Sequence, residues 1–158
     1  DPTLFGRAAE ELRACRAAGI PVSIVPGVSA GFAAAAALGV SLTLRSVSRS
    51  VTFVTPAIAR GGEADEAWAQ AAAAAETAVI YMGAAQAERV RRELIARGVP
   101  SDRPIALVES ASSAREITLR GQLKDLPQLA GQLGDGPALI IVGEAVAEAQ
   151  ASADAAAA

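Results

Sequence analysis

The sequence has no histidine, a single cysteine, and aromatic residues at only 3% of its 158 positions. Without histidine there is no Ser-His-Asp or Cys-His pair and no histidine-bearing zinc or facial-triad site. Any chemistry must therefore come from a cofactor, from carboxylates or from residues outside the chain. The lone Cys15 has no internal disulfide partner; its neighbours Leu12, Ala14 and Ala18 read as a helix with a buried side, which favours core packing for the thiol. The apolar stretches over 33–38 and 138–142 are too short to span a bilayer and are broken by glycine or charge, so no membrane partner is expected. The start at Asp1-Pro2 lacks an initiator methionine and any charged-then-apolar leader pattern. The expectation is a natural sequence that begins upstream and a cytoplasmic home. A net charge of −3 with scattered arginines gives no basic stripe for nucleic acid.

What is present is aliphatic. Hydrophobic residues make up 52% of the chain, much of it alanine, so a core of small side chains with valine, isoleucine and leucine needs close backbone approach. Helical composition over 6–18 stops at Gly19, and a short apolar strand is expected over 21–25. Pro26-Gly27 breaks that strand, and Ser29 stands where a cap begins a small-residue helix running to Leu38. Residues 41–50 read as a loop, 50–55 as a strand, and 63–75 as a helix behind Gly61-Gly62. Residues 77–82 form a second apolar run, and 84–97 the clearest helix, with pairs expected between Glu88 and Arg92 and between Arg89 and Glu93. Strands are expected over 105–109, over 116–119 as a half-exposed antiparallel element, and over 137–142, with a short helix near 124–133. After Gly143 comes an Ala/Glu-rich tail. Strands alternating with helices imply an α/β fold with a mixed sheet flanked by helices.

In such sheets the ligand crevice lies at the carboxyl ends of the strands. The residues there are Pro26-Gly27-Val28-Ser29-Ala30, Thr55-Pro56, Met82-Gly83, Glu109-Ser110-Ala111 and Gly143, most of them small. Strand tips without bulky side chains let a flat, nucleoside-like ligand reach peptide groups directly, although many α/β turns share this composition.

Longer strings narrow the reading. Asp1-Pro2-Thr3-Leu4-Phe5-Gly6-Arg7, Val25-Pro26-Gly27-Val28-Ser29-Ala30, Val51-Thr52-Phe53-Val54-Thr55, Val79-Ile80-Tyr81-Met82-Gly83, Ala106-Leu107-Val108-Glu109 and Pro137 to Gly143 occur in this order. In order and spacing the chain resembles the tetrapyrrole methylase family over residues 1 to about 145. Within it the strings are similar to those of the members that methylate uroporphyrinogen III.

The resemblance implies two α/β domains with S-adenosylmethionine, or the product S-adenosylhomocysteine, held between them, in a homodimer. Residues 1–25 would end the amino-terminal domain, 26–145 would form the carboxyl-terminal domain, and 146–158 would be a low-complexity tail. Asp1, Leu4, Ser29, Ala30, Met82 and Ala111 match the family's cofactor contacts; residue types alone would place Met82 in a core and Ala111 in a loop. The implied substrate is an acidic tetrapyrrole, whose carboxylates suit planar arginine forks. Arg7, Arg45 and Arg49 are the candidates, against a reading of them as solvated or capping arginines. No catalytic residue and no metal site is expected in the chain.

The chain departs from the family pattern at three places. Leu44 and Ala57 replace histidines in the family strings Leu-Thr-His-Arg and Val-Thr-Gly-His, both on the substrate side, and Ala8-Ala9 replaces a Gly-Gly pair. The family's Gly-x-Gly-Pro-Gly loop is absent, so the chain by itself is expected to hold half a cofactor site and to have little activity. The implied reaction is the double methylation of uroporphyrinogen III to precorrin-2, toward sirohaem or cobalamin. A later precorrin methyltransferase and a non-catalytic module that keeps the fold for dimerisation are the alternatives.

Overall fold

The structure is a computed structural model, and it describes residues 1–57 and 65–147. Helices α1 (Ala8–Ala17), α2 (Ala30–Leu38), α3 (Ala67–Ala74), α4 (Ala87–Ala96) and α5 (Leu126–Ala130) form where the strong helix formers alanine, leucine, glutamate and arginine dominate the sequence. Strands β1 (Val51–Val54), β2 (Thr77–Tyr81), β3 (Pro104–Glu109), β4 (Ile117–Gln122) and β5 (Ala138–Gly143) coincide with the β-branched and aliphatic runs. They form one sheet in the order β1-β2-β5-β3-β4. β1 and β2 are parallel, and every other pairing is antiparallel. The mixed sheet flanked by helices is the expected architecture.

Among the described residues, the last strand in sequence is the middle one in space. Because β5 runs against both β2 and β3, those two point the same way. The carboxyl ends of β1, β2 and β3 and the amino end of β5 therefore share one edge of the sheet.

Alternation along the strands feeds two cores. Ala78, Ile80, Ile105, Leu107, Ile140 and Val142 face α3, α4 and α5, where Trp68, Val90, Leu94 and Leu126 cover them. Val79, Tyr81, Ala106, Val108, Leu139 and Ile141 face α2, where Ala34, Ala35, Leu38 and Leu42 meet them. One rung, Val79–Ile141–Ala106–Arg120, crosses four strands and ends on the edge strand β4. Arg120 turns its guanidinium onto the carbonyls of Leu38 (2.6 Å) and Val146 (2.9 Å), which fastens the carboxyl end of α2 to the sheet.

Several expectations need correction. Residues 21–25 do not form a strand: they pair with no ladder among the described residues, and Val25 is 78% exposed. A strand needs a neighbour for its N–H and C=O groups, and composition alone does not supply one. Helix α1 buries only Ala8, so Cys15 is half-buried rather than in a core. On α4 the ion pairs are not the expected ones: Glu88 meets Arg91 (2.5 Å), Glu93 meets Arg97 (2.7 Å) and Arg92 (3.0 Å), and Arg89 reaches across to Glu66 (2.8 Å). Arg89 also lies 5.9 Å from the centre of the Trp68 ring, and this packing against α3 takes it away from Glu93. The helix expected over 63–75 is seen as α3; Gly61-Gly62 and the tail beyond Ala147 lie outside the described residues. Among the described residues, no helix is long and apolar enough to cross a membrane.

Candidate functional site

Two residues at the shared edge have left-handed backbones. Met82, directly after β2, has φ 54°, and Ser110, directly after β3, has φ 51°. For residues with a side chain this conformation costs about 1–3 kcal/mol and persists only where the surroundings dictate it. At both positions the chain leaves the sheet sharply, and a cleft of about 810 Å³ opens there. Its apolar lining includes Ala30, Ala33, Met82, Ala84, Ala85 and Ala111, and Ser110, Ser113, Arg115 and Asp135 supply the polar groups. The volume falls in the range of about 300–1,000 Å³ usual for small-molecule sites. Met82 is 51% exposed, an unbranched thioether available to a ligand instead of a core residue.

Tyr81, the last residue of β2, organises one wall. Its hydroxyl shares a hydrogen bond with Ser29 Oγ (2.7 Å) and accepts one from the Gly31 N–H (2.8 Å), which locks the first turn of α2 beside the cleft. A Cβ at Gly31 would meet the Phe53 ring at 2.9 Å and the Tyr81 hydroxyl at 3.0 Å, so the close approach requires glycine. Ser29 was expected to cap α2. It occupies the N-cap, but its side chain makes no cap bond; it serves Tyr81 instead, while its carbonyl accepts from Phe32 (2.9 Å) and Ala33 (3.1 Å).

The candidate contacts fall into three places. Ala30, Met82 and Ala111 line the one cleft, and the buried Ser29 is bonded to Tyr81, which lines it too. Asp1 and Leu4 are not in the lining. Asp1 accepts the Gly27 N–H at 3.0 Å, Leu4 packs against the α2-side core, and the Phe5 ring lies 4.9 Å from that of Tyr81. Arg7 is exposed and bonded to Glu10, and its guanidinium holds the Glu10 carboxyl below the usual carboxylate range.

Arg45 and Arg49 are elsewhere. Their turn is bolted to the amino end of β2 by Ser48 Oγ against Thr77 Oγ1 (2.7 Å) and by Glu76, which accepts the N–H groups of Arg49 and Ser50. Five strand residues put about 13 Å between that end and Tyr81. Helix α2 begins beside the cleft and ends at Leu38, whose carbonyl meets Arg120 on the edge strand β4, so the loop that follows it starts there. Leu44 and Ala57, the two histidine replacements, are likewise absent from the lining.

Reading the sequence missed the stretch Gly134-Asp135-Gly136-Pro137 and also Arg115, all of which line the cleft. The clustered glycines ahead of β5 were a turn signal, but nothing local shows that this turn folds back on the end of β3. Among the described residues, no three metal-ligating side chains come together.

Fold and cleft define an α/β protein with a small-molecule-sized cleft at the carboxyl edge of its sheet. Residues 1–127 match the family model described as Tetrapyrrole (Corrin/Porphyrin) Methylases, and the chain belongs to that family. The siroheme synthase of Tolumonas auensis is 44% identical over 147 residues, and that of Salmonella typhimurium strain LT2 is 45% identical over the same length; each match covers 93% of this chain. The chain spans about a third of the length of these curated relatives, 31% and 32%. Among solved structures, uroporphyrin-III C-methyl transferase from Thermus thermophilus complexed with S-adenosylhomocysteine has a TM-score of 0.79 at 30% identity, covering 94% of this chain and 64% of that one. Cobalt precorrin-4 methyltransferase, a cobalamin biosynthetic enzyme, has a TM-score of 0.83 at 28% identity, covering 92% of this chain and 62% of that one.

Proposed function

We propose that this chain forms part of an S-adenosylmethionine-dependent methyltransferase that converts uroporphyrinogen III to precorrin-2, toward sirohaem or cobalamin. The observation that carries the reading is the single cleft lined by Ala30, Met82 and Ala111, in a family member whose solved relative from Thermus thermophilus is complexed with S-adenosylhomocysteine. The residues fit such a group. Alanines leave room for a flat base, the exposed thioether of Met82 offers an apolar contact, and the sharp turns at Met82 and Ser110 bring backbone to the cleft.

A bound sulfonium supplies a methyl group that is already activated, so the chain need only orient the donor and exclude water. In this reading Ser29, held by Tyr81, and Ala30 fix one side of the donor, while Met82 and Ala111 pack against its nucleoside. Asp1 and Leu4, outside the lining of this cleft, contact the donor in this reading from the opening segment. Arg7, Arg45 and Arg49 take carboxylates of the acidic tetrapyrrole outside this cleft; Arg45 makes no ion pair with the described residues. The same reading divides the chain at residues 25 and 145 and makes the working enzyme a cytoplasmic homodimer.

Calorimetric titration of the natural protein, with whatever its gene encodes before Asp1, tests the cofactor site. Replacing Met82 with glutamate should abolish S-adenosylhomocysteine binding without unfolding the protein, because a ligand would bury an unpaired charge. Unchanged affinity would mean that the cleft lies elsewhere. Incubation with each substrate tests the reaction. Activity only on a precorrin would favour a later methyltransferase of the pathway, a reading that the likeness to cobalt precorrin-4 methyltransferase keeps in view.

A further inference from the structure

One buried carboxylate is unused by the reading above. Glu109, the last residue of β3, is 5% exposed, and no arginine or lysine pairs with it among the described residues. Its two oxygens instead accept backbone N–H groups: Oε2 from Gly134 at 2.6 Å and Oε1 from Gly136 at 2.7 Å. A third bond, from Ser110 N–H to the Pro137 carbonyl (2.9 Å), closes the same loop onto the end of β3. Both glycines are required by the carboxylate. A Cβ would approach Glu109 Oε1 to 3.0 Å at Gly134 and to 2.5 Å at Gly136, where it would also meet Ser110 Oγ at 2.2 Å.

A buried charge without a counter-ion is costly, and a turn before a strand can be closed with neutral groups. What distinguishes this arrangement is its place. Gly134 through Pro137 and Ser110 all line the cleft, whereas Glu109 does not. Everything the carboxylate holds is therefore wall. Charge-assisted bonds, about twice as strong as neutral ones, keep that wall in one position next to Ala111.

We propose that Glu109 is a positioning residue for the cofactor, acting through the Gly134–Pro137 loop and never touching the ligand itself. The proposal rests on the cleft being the S-adenosylmethionine site. Glu109→Gln keeps the size of the side chain but presents an NH2 group to one of the two N–H donors, which frees one side of the loop. In the natural protein it should weaken S-adenosylhomocysteine binding by calorimetry and raise KM for the methyl donor, each by at least about tenfold, with kcat within about threefold and KM for the tetrapyrrole unchanged. Gly136→Ala, which pushes the loop off the same carboxylate, should give the same pattern, and the double variant should be no worse than either single one.

A purely structural role would behave differently: the active fraction would fall, lowering kcat at an unchanged donor KM. That outcome, or donor KM and affinity within twofold of wild type in folded protein, overturns the proposal. If Glu109→Gln does not accumulate folded, the milder Gly134→Ala carries the same test. Wild-type protein that binds no S-adenosylhomocysteine overturns the cofactor reading itself, whereas wild-type binding unchanged in the variants overturns the role of Glu109 alone.

Discussion

The face of the sheet that carries Ile80, Leu107 and Ile140 is closed by three helices through apolar side chains, whereas the face that carries Val79, Ala106 and Ile141 is closed by one nine-residue helix and a set of polar bonds. On the first face each rung meets leucine, valine or tryptophan, and the energy lies in transfer from water and close packing. On the second, six of the nine residues of α2 are alanine, so the helix contributes little area per residue. It is held at its first turn by Tyr81 and at its last by Arg120. The cleft is lined chiefly from the second face, by Ala30, Ala33, Tyr81, Val108 and Leu139, with Ala130 and Leu133 reaching it from the first. Stability and placement are thus divided between the two sides of one sheet, and a substitution should reveal which side it touches.

The largest effect on the apolar side is expected from Leu107→Ala. Leu107 is fully buried between β5 and β4, and its loss should cost about 2–5 kcal/mol in denaturant unfolding while leaving cofactor affinity of the folded fraction unchanged. An affinity that fell in step with stability would erase the division. Tyr81→Phe tests the other side. It keeps the ring, removes the hydroxyl and leaves Ser29 Oγ and the Gly31 N–H without their partner, at a cost of about 1–3 kcal/mol. Here affinity for S-adenosylhomocysteine should fall even in fully folded protein, and a variant that merely melts earlier would show that α2 needs no such hold.

The smallest effect comes from the surface of α4 and from the start of β2. Arg91 holds the Glu88 carboxyl below its ordinary value, Arg97 and Arg92 do so for Glu93, and the N–H groups of Arg49 and Ser50 do so for Glu76. Carboxyls lowered by folding add stability that is complete above the unfolded value of about 4.3 and is lost as pH falls through the folded values. Thermal melts should be flat from pH 7 to about 5 and decline slightly below about 4. Salt should blunt the decline where the partners are open to solvent, as for Glu88 with Arg91, and less for the half-buried Glu93 with Arg97. A steep acid loss already at pH 6 would contradict this assignment.

Elements with continuous apolar runs were legible in the sequence. The strands near 77, 105 and 137 are buried on both faces, so composition alone marks them, and the alternation near 117 correctly marked the antiparallel edge strand. The same composition failed over 21–25, because a strand is a property of two segments and only one was in view. Of the site, the small residues at strand tips could be read, since α/β sheets place ligands there. The rest was hidden for a common reason: Tyr81 with Ser29, Arg120 with Leu38, and Glu109 with Gly134 and Gly136 are joined across 25 to 82 residues. No window of sequence contains both partners. Helical spacing also misled on α4, where Arg89 pairs with Glu66 at the N-cap of α3 and with Gln86 instead of Glu93.

The central position of β5 governs how the protein is made. Strands β2 and β3 share no hydrogen bonds with each other; each pairs instead with β5, and Thr77 waits for Gly143. In chain order the β1–β2 and β3–β4 pairs precede β5, so their facing apolar borders have no partner until that strand is present to join them. Those unpaired borders invite aggregation during synthesis. A nascent chain stalled or cut before Ala138 would forfeit the middle of the sheet, and with it both cores, rather than a dispensable end.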